Sequence, residues 1–394
     1  MKSIIIQAPV LTQSGYGHHS TEYARWVIEN PQHFQAFVRA VPWGSTPWML
    51  NSSLKNGLVG KMMGKTSQPK QKCDIGLFVV LPNETNTETA HFNILATAVV
   101  ETTICNPKWI DDINKMNLVI VPSTFSKNVI EETAKHFNKF VSTPIEVIPE
   151  CLPDAFLNPE NSYLNVDFAS DFNFLVSGQI TGQSPQSDRK NIFNTLKWLI
   201  ETFDGNKNVG IVLKTNMGRN TIFDRNQTKK IIQKVTYEAR KSEFPKIHLI
   251  HGNLTDKEMV GLYKHPKIKA LVSLTRGEAW SRHTLEASAC GLPIVATNWS
   301  GHLDFMNLGK FIKINCELRP VDGSLLSNKN IFVNGAKWAE PIEEDAKMKL
   351  EKFYKKADIP TEWAKELSEI IKNKYNFKET SKKYEEVFKK YNLL

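Results

Sequence analysis

The feature that most constrains this chain is a series of short, nearly unbroken apolar runs separated by amphipathic stretches. The runs lie at residues 3–7, 75–80, 118–121, 145–148, 172–177, 209–214, 246–250, 270–274 and 293–296. A strand with one wet face alternates apolar and polar residues. An unbroken run fits a strand covered on both faces, as in a parallel sheet. Residues 20–29, 126–138, 191–202, 256–263 and 284–290 instead place apolar side chains at helical spacing. Strand and helix in alternation predict a doubly wound α/β fold. At 394 residues the chain is long enough for two such domains.

The polar stretch 154–171 breaks the alternation and reads as the connection between domains. The expected division is an N-terminal domain over 1–155, a linker over 156–171 and a C-terminal domain over 172–375, followed by a terminal helix over 376–394. Residues 40–69 form a long irregular loop of the first domain. From 347 onward, charged residues surround a stripe of Leu350, Phe353, Tyr354, Trp363, Leu367, Ile370 and Ile371, which predicts amphipathic helices.

Composition narrows the function classes. With 41% hydrophobic and 23% charged residues the chain is globular, and it has no run of membrane-spanning length. The N-terminal run ends at Gln7, too soon for a signal peptide. Five unpatterned cysteines, an odd number, argue against a disulfide framework or zinc site and fit a reducing cytoplasm. The net charge of +9 suits polyanionic partners, or reflects a lysine-rich coding bias. Gly60-Lys61-Met62-Met63-Gly64-Lys65-Thr66 is one residue short of a phosphate-binding P-loop and does not follow a strand-like run.

The segment 270–305, ALVSLTRGEAWSRHTLEASACGLPIVATNWSGHLDF, carries the most chemistry. A buried strand is followed by a turn with Arg276, Gly277 and Glu278. Next comes a helix starting near His283, and Gly291-Leu292-Pro293 stops it before another strand. Glu278 on the turn and Glu286 in the helix both fit the crevice at strand ends where α/β sheets bind ligands. Carboxylates there can accept ribose or sugar hydroxyls. The amides of Ala279, Trp280, Ser281, Arg282 and His283 near a helix N-terminus suit phosphate or sugar oxygens. Arg189-Lys190-Asn191 stands before another helix and offers two cations for a diphosphate, with Lys214 as a further cation. Ser14-Gly15-Tyr16-Gly17-His18 follows the first strand, close to a dinucleotide fingerprint, but no acid sits where a second strand would end. Glu101 follows an apolar run and reads equally as a ligand contact or a buried structural carboxylate. His302 and Asp304 stand equally between a structural and a binding role. No metal-ligand cluster is visible.

Glu278 and Glu286 together with LEASACGLPIVAT resemble the retaining GT-B glycosyltransferases of the group 1 class, often called family 4. LVIVPSTFSKNVIEE, IEVIPECLPDAF and FNFLVSGQITGQSPQSDRKNIFNTLKWLIETF resemble other parts of the same family in the same order. The resemblance implies two Rossmann-like doubly wound domains facing a central cleft, with the terminal helix returning to the first domain. It implies transfer of a hexose or pentose from a UDP- or GDP-sugar to a hydroxyl, with retention and without a required metal or cofactor. In this reading Glu278, Arg189 and Lys190 serve catalysis. Glu286, Lys214, Gly15, Tyr16, Gly17, Gly252, Asn253, Leu254 and residues 276, 277 and 279–282 bind the donor, with Glu101 and His18 on the acceptor side. Where the family usually has Gly-Phe-Gly after the first glutamate, this chain has Ala279-Trp280-Ser281, which restricts backbone approach to the sugar. The acceptor stays open: a glycan, a lipid-linked glycan with peripheral membrane contact, or hydroxymethylated DNA. A non-catalytic nucleotide-sugar binder is the alternative of a different class.

Overall fold

A computed structural model describes residues 1–159, 164–328 and 330–394. The chain divides into two compact units. Unit 1 comprises Met1–Cys151, Asn328–Asn334 and Phe377–Leu394; unit 2 comprises Leu152–Ser327 and Gly335–Asn376.

Unit 1 is built on a six-stranded parallel sheet in the order β2-β1-β3-β4-β5-β6. Its strands are β1 (Lys2–Ala8), β2 (Phe34–Ala40), β3 (Cys73–Val79), β4 (Ala90–Ala96), β5 (Leu118–Val121) and β6 (Ile145–Val147). Ile4, Ile5 and Ile6 are fully buried, as an unbroken run requires of a central strand. The helices are α1 (Gly15–Ile28), α2 (Leu58–Met63), α3 (Lys108–Ile113) and α4 (Thr124–His136). α1 begins five residues before the expected start. Ser14 caps it by accepting from the Gly17 amide at 2.9 Å, so the glycine-rich segment is the first turn of a helix and not a loop. The 40–69 segment is not wholly irregular either, since it contains α2 and a bridge from Trp48 to Thr12.

Unit 2 holds a second six-stranded parallel sheet in the order β12-β11-β10-β7-β8-β9. Its strands are β7 (Phe172–Ser177), β8 (Val209–Thr215), β9 (Lys246–His251), β10 (Ile268–Ser273), β11 (Ile294–Thr297) and β12 (Ile312–Ile314). Counted from β7, this is the 3-2-1-4-5-6 order of a nucleotide-binding Rossmann sheet, with its switch point between β7 and β10. Around it pack α5 (Ile192–Thr202), α6 (Ile222–Ala239), α7 (Asp256–Tyr263), α8 (Arg282–Ala289) and the short α9 (Leu303–Met306). An antiparallel pair, β13 (Cys316–Pro320) with β14 (Lys337–Pro341), precedes α10 (Glu343–Lys355) and α11 (Asp358–Lys374). The expected linker lies in unit 2: Phe156 and Phe168 are buried in its core, while residues 160–163 lie outside the described residues. The final helix, α12 (Phe377–Lys390), belongs to unit 1, where Tyr384 and Phe388 pack on Tyr23, Trp26 and Phe34.

Candidate active site

The switch point of unit 2 brings together the turn after β7 and the turn after β10. The first turn is held by Asp188, fully buried, whose Oδ1 accepts from the Thr181 amide and hydroxyl at 2.9 and 2.8 Å and whose Oδ2 accepts from the Ile192 amide at 2.7 Å. That bond caps the start of α5, whose N-cap residue Asn191 lies in the left-handed region at φ 54°. Asn191 Nδ2 donates to Leu274 O at 3.0 Å, and the Arg276 amide donates to Arg189 O at 2.8 Å. The two turns are thereby stitched together before any side-chain charge is considered.

On that frame Lys190 Nζ meets both oxygens of Glu278, at 2.6 and 2.9 Å, and Arg189 Nη1 lies 3.5 Å from Glu278 Oε2. Arg189 also donates to Gly277 O. The Glu278 side chain is only 5% exposed. Burial alone would push its carboxyl upward, but Lys190, Arg189 and His283 overcome that and hold it well below the usual carboxylate range. The Glu278 backbone is fixed as well. Its amide donates to Ser300 Oγ at 2.9 Å, and its carbonyl accepts from the Gly301 amide at 2.8 Å. A Cβ on Gly301 would come within 1.9 Å of Ala279 O, so only glycine permits this approach.

α8 starts at the same place. Its N-cap, Ser281, has φ 77° and makes no side-chain capping bond, so the first amides of the helix have no partner from the cap. His283, in the first turn, lies 3.1 Å from Ser273 Oγ; burial, reinforced by Lys190, pushes its imidazole down to about 3, so it is neutral at pH 7. One turn on, Glu286 pairs with Arg282 at 2.9 Å. Lys214, at the end of β8, donates to Gly252 O at 2.6 Å. Burial lowers its ammonium to about 8, with Glu286 acting in the opposite direction. Gly252, at φ 95°, leads through Asn253 and Leu254 into α7.

Two of the expected donor contacts direct their side chains elsewhere. Arg276 is 3% exposed, held by Glu340 at 2.6 and 2.8 Å and by the carbonyls of Pro185 and Asp188, so it braces the turn from behind. Trp280 is buried against Phe305 and Tyr375 as a core residue. Both residues can offer ligands only their backbone. His302 is likewise buried, with Nε2 2.8 Å from Thr297 O. Asp188, Ser300 and Glu340 complete the site without having been singled out in the sequence, and His283, expected to offer only its amide, also brings its side chain.

In unit 1 the residues expected at the donor or acceptor gather at the carboxyl ends of β1 and β4. Tyr16 stacks on Trp43 with ring centres 4.0 Å apart; its hydroxyl lies 3.1 Å from Thr97 Oγ1 and accepts from the Ala98 amide at 2.9 Å. Gly17 packs so closely on Thr12 that a Cβ would fall 2.0 Å from its carbonyl oxygen. His18 Nδ1 lies 3.2 Å from Lys55 Nζ. Glu101 follows Val99, a β-branched residue held at φ 49°, a costly conformation. Among the described residues, no group of three or more His, Cys, Asp or Glu is placed to hold a metal ion.

Residues 228–317 match the family model of glycosyl transferases group 1, a span that contains Gly252, Arg276–Arg282 and Glu286 but not Arg189 or Lys190. No curated protein matches the chain by sequence. Among solved structures, a glycosyltransferase of Rickettsia africae aligns with a TM-score of 0.64 and 12% identity over 99% of this chain and 98% of that one. Sucrose-phosphate synthase of Thermosynechococcus elongatus aligns with a TM-score of 0.59 and 11% identity over 99% of each chain. HepE of Anabaena, solved with UDP and glucose, aligns with a TM-score of 0.58 and 11% identity over 99% of this chain and all of that one. The shared fold defines the class: the chain has GT-B architecture, and a segment of unit 2 matches the model of glycosyl transferases group 1.

Proposed function

We propose that the protein transfers a sugar from a nucleoside diphosphate sugar to a hydroxyl acceptor with retention, and that unit 2 holds the donor. The observation that carries this reading is the cluster of Lys190, Arg189 and Glu278 at the switch point of a nucleotide-binding sheet. As the glycosidic bond breaks, negative charge grows on the leaving diphosphate and positive charge on the sugar. Lys190 and Arg189 meet the first, with the amides at the start of α8 facing oxygens of the same ligand. Glu278, ionised by its neighbours, binds donor sugar hydroxyls. Glu286 takes the ribose, with Lys214 beside it. The loop from Gly252 to Leu254 receives the base. His283, neutral and enclosed, serves as a hydrogen-bonding group rather than a charge. No side chain is assigned as general base, since the leaving phosphate itself can take the acceptor proton. On unit 1, Glu101 and His18 are the residues assigned to the acceptor.

The test is thermal unfolding of the wild type and of Glu286→Ala against UDP, GDP and their sugars, followed by a turnover assay. A ligand at a hundred times its dissociation constant adds about 2.7 kcal/mol to stability. A shift with one nucleotide that Glu286→Ala loses supports the donor site and names the base. Failure of every nucleotide to shift the wild type sinks the proposal. Binding without transfer or hydrolysis would leave a binding protein in place of an enzyme.

A further inference from the structure

We propose that the solvent face of α6 and the groove beside it form a docking surface for an anionic lipid bilayer. The inference stands on unit 2 alone and does not depend on the donor reading. α6 buries Asp224, Thr228, Val235 and Ala239. Its opposite face exposes three large apolar side chains, Ile222 at 80%, Phe223 at 73% and Tyr237 at 88%. At 100° per residue these share that face with Lys229, Lys230 and Lys234. From residue 219 to 246 there are eight Lys or Arg and three Asp or Glu. Of the three acids, Asp224 is buried and paired with His251 at 3.0 Å, and Glu243 lies 3.5 Å from Lys246.

Between α6 and β9, the edge strand, lies a groove of about 780 Å³. It is lined by Lys229, Tyr237, Arg240, Lys241 and Lys246 among others, with no acidic residue in its lining. Two donors in that lining, Arg240 Nε and Thr236 Oγ1, are buried without a hydrogen-bond partner, although Arg240 Nη2 donates to Pro245 O. Both atoms lie beneath the surface, so an anionic headgroup meets the exposed cations of the lining instead. The apolar side chains suit the boundary between headgroups and acyl chains, while the lysines remain among the headgroups. A nucleic acid would use the cations equally well but offers the aliphatic Ile222 nothing to enter. A bilayer uses both sets. The docking helix is also tied to the candidate site: Asp224 accepts from the amides of Met217 and Arg219 at 2.9 and 2.6 Å, fixing the loop that leaves β8 just after Lys214.

The experiment is co-sedimentation of the full chain with phosphatidylcholine vesicles, with and without phosphatidylglycerol. Binding is expected only to the anionic vesicles and is lost toward 1 M salt, where screening shortens to about 3 Å. Each of Lys229→Gln, Lys230→Gln and Lys234→Gln should weaken partitioning about fivefold. The pair Ile222→Ser with Phe223→Ser, both exposed and harmless to the fold, should abolish it while leaving any nucleotide-induced thermal shift in place. Equal binding to both vesicle types, or none, overturns the proposal. So does tighter binding to single-stranded DNA that ignores Ile222 and Phe223. Self-association in the absence of vesicles that the same serine pair abolishes would assign the face to a second copy and overturn it too.

Discussion

Replacing Lys190 with methionine removes the main partner of a carboxylate that the fold has already withdrawn from water. Glu278 is 5% exposed and Lys190 15%, so solvent screening rescues little. Breaking such a pair from one side costs about 3–5 kcal/mol, because the remaining charge stays buried. Arg189 remains 3.5 Å away and compensates in part, which sets the expectation at about 3 kcal/mol. For a domain of this size that is a fall of roughly 6–12 °C in the melting transition of unit 2. Adding Glu278→Gln should recover part of the loss, since the buried charge goes with it. Calorimetry of the four proteins in this double-mutant cycle gives the coupling directly. A second readout follows from acid. The Glu278 carboxyl lies below its ordinary 4.5 in the folded protein, so its contribution is present above that pH and lost as pH falls through the folded value. Lys190→Met moves that loss upward in pH, and acid unfolding begins earlier. The reasoning is refuted if Lys190→Met costs less than about 1 kcal/mol, the range of an exposed pair, or if the two substitutions simply add. Turnover should be lost in both single variants whatever the stability result.

Three further outcomes follow. Tyr16→Phe keeps the stack on Trp43 but strips the acceptor from the Ala98 amide, so unit 1 should lose about 1–2 kcal/mol in urea unfolding; an unchanged midpoint would show that water replaces the hydroxyl. Gly301→Ala places a Cβ 1.9 Å from Ala279 O and should cost about 3 kcal/mol and disorganise Glu278, seen as joint loss of stability and nucleotide binding. Lys214 titrates at about 8 in the fold against an ordinary 10.5, so the unfolded chain holds more protons between those values and stability should rise with pH across that window. Lys214→Met should abolish that rise, and nucleotide affinity should weaken above about pH 8; calorimetry across pH checks both.

The central strands were legible in the sequence because they are covered on both faces. β2 was missed because it is an edge strand whose residues alternate between buried and exposed. β4 was missed because His91 and Asn93 interrupt it; Asn93 is buried but spends its amide on the carbonyls of Thr87 and Ala90. α6 gave no apolar stripe because only four of its eighteen residues are buried. At the site, Glu278 and Lys190 could be read from their places after strands. Their pairing could not, since 88 residues separate them in the chain. The brace at Arg276 could not be read for the same reason: its partner Glu340 lies 64 residues away on β14, a strand the sequence did not announce. Local pattern reports which residues stand at strand ends, and only the sheet order decides which of those ends meet.

Residues 279–281, Ala-Trp-Ser, hold a strained turn beside Glu278. Ser281 adopts φ 77°, a conformation that costs an L-residue about 1 kcal/mol or more. Its hydroxyl donates to Thr284 Oγ1 at 2.8 Å and so helps hold the strained turn. Trp280 fills the core against Phe305 and Tyr375. Ala279 closes on Gly301, where a Cβ would meet the Ala279 carbonyl oxygen at 1.9 Å. Asn191 at φ 54° and Ser300 at φ 89° bear similar strain on the two neighbouring turns, and each makes a bond that the site uses, to Leu274 O and from the Glu278 amide. Strain retained at three turns around one carboxylate argues that the position of Glu278 is what these residues are arranged to maintain.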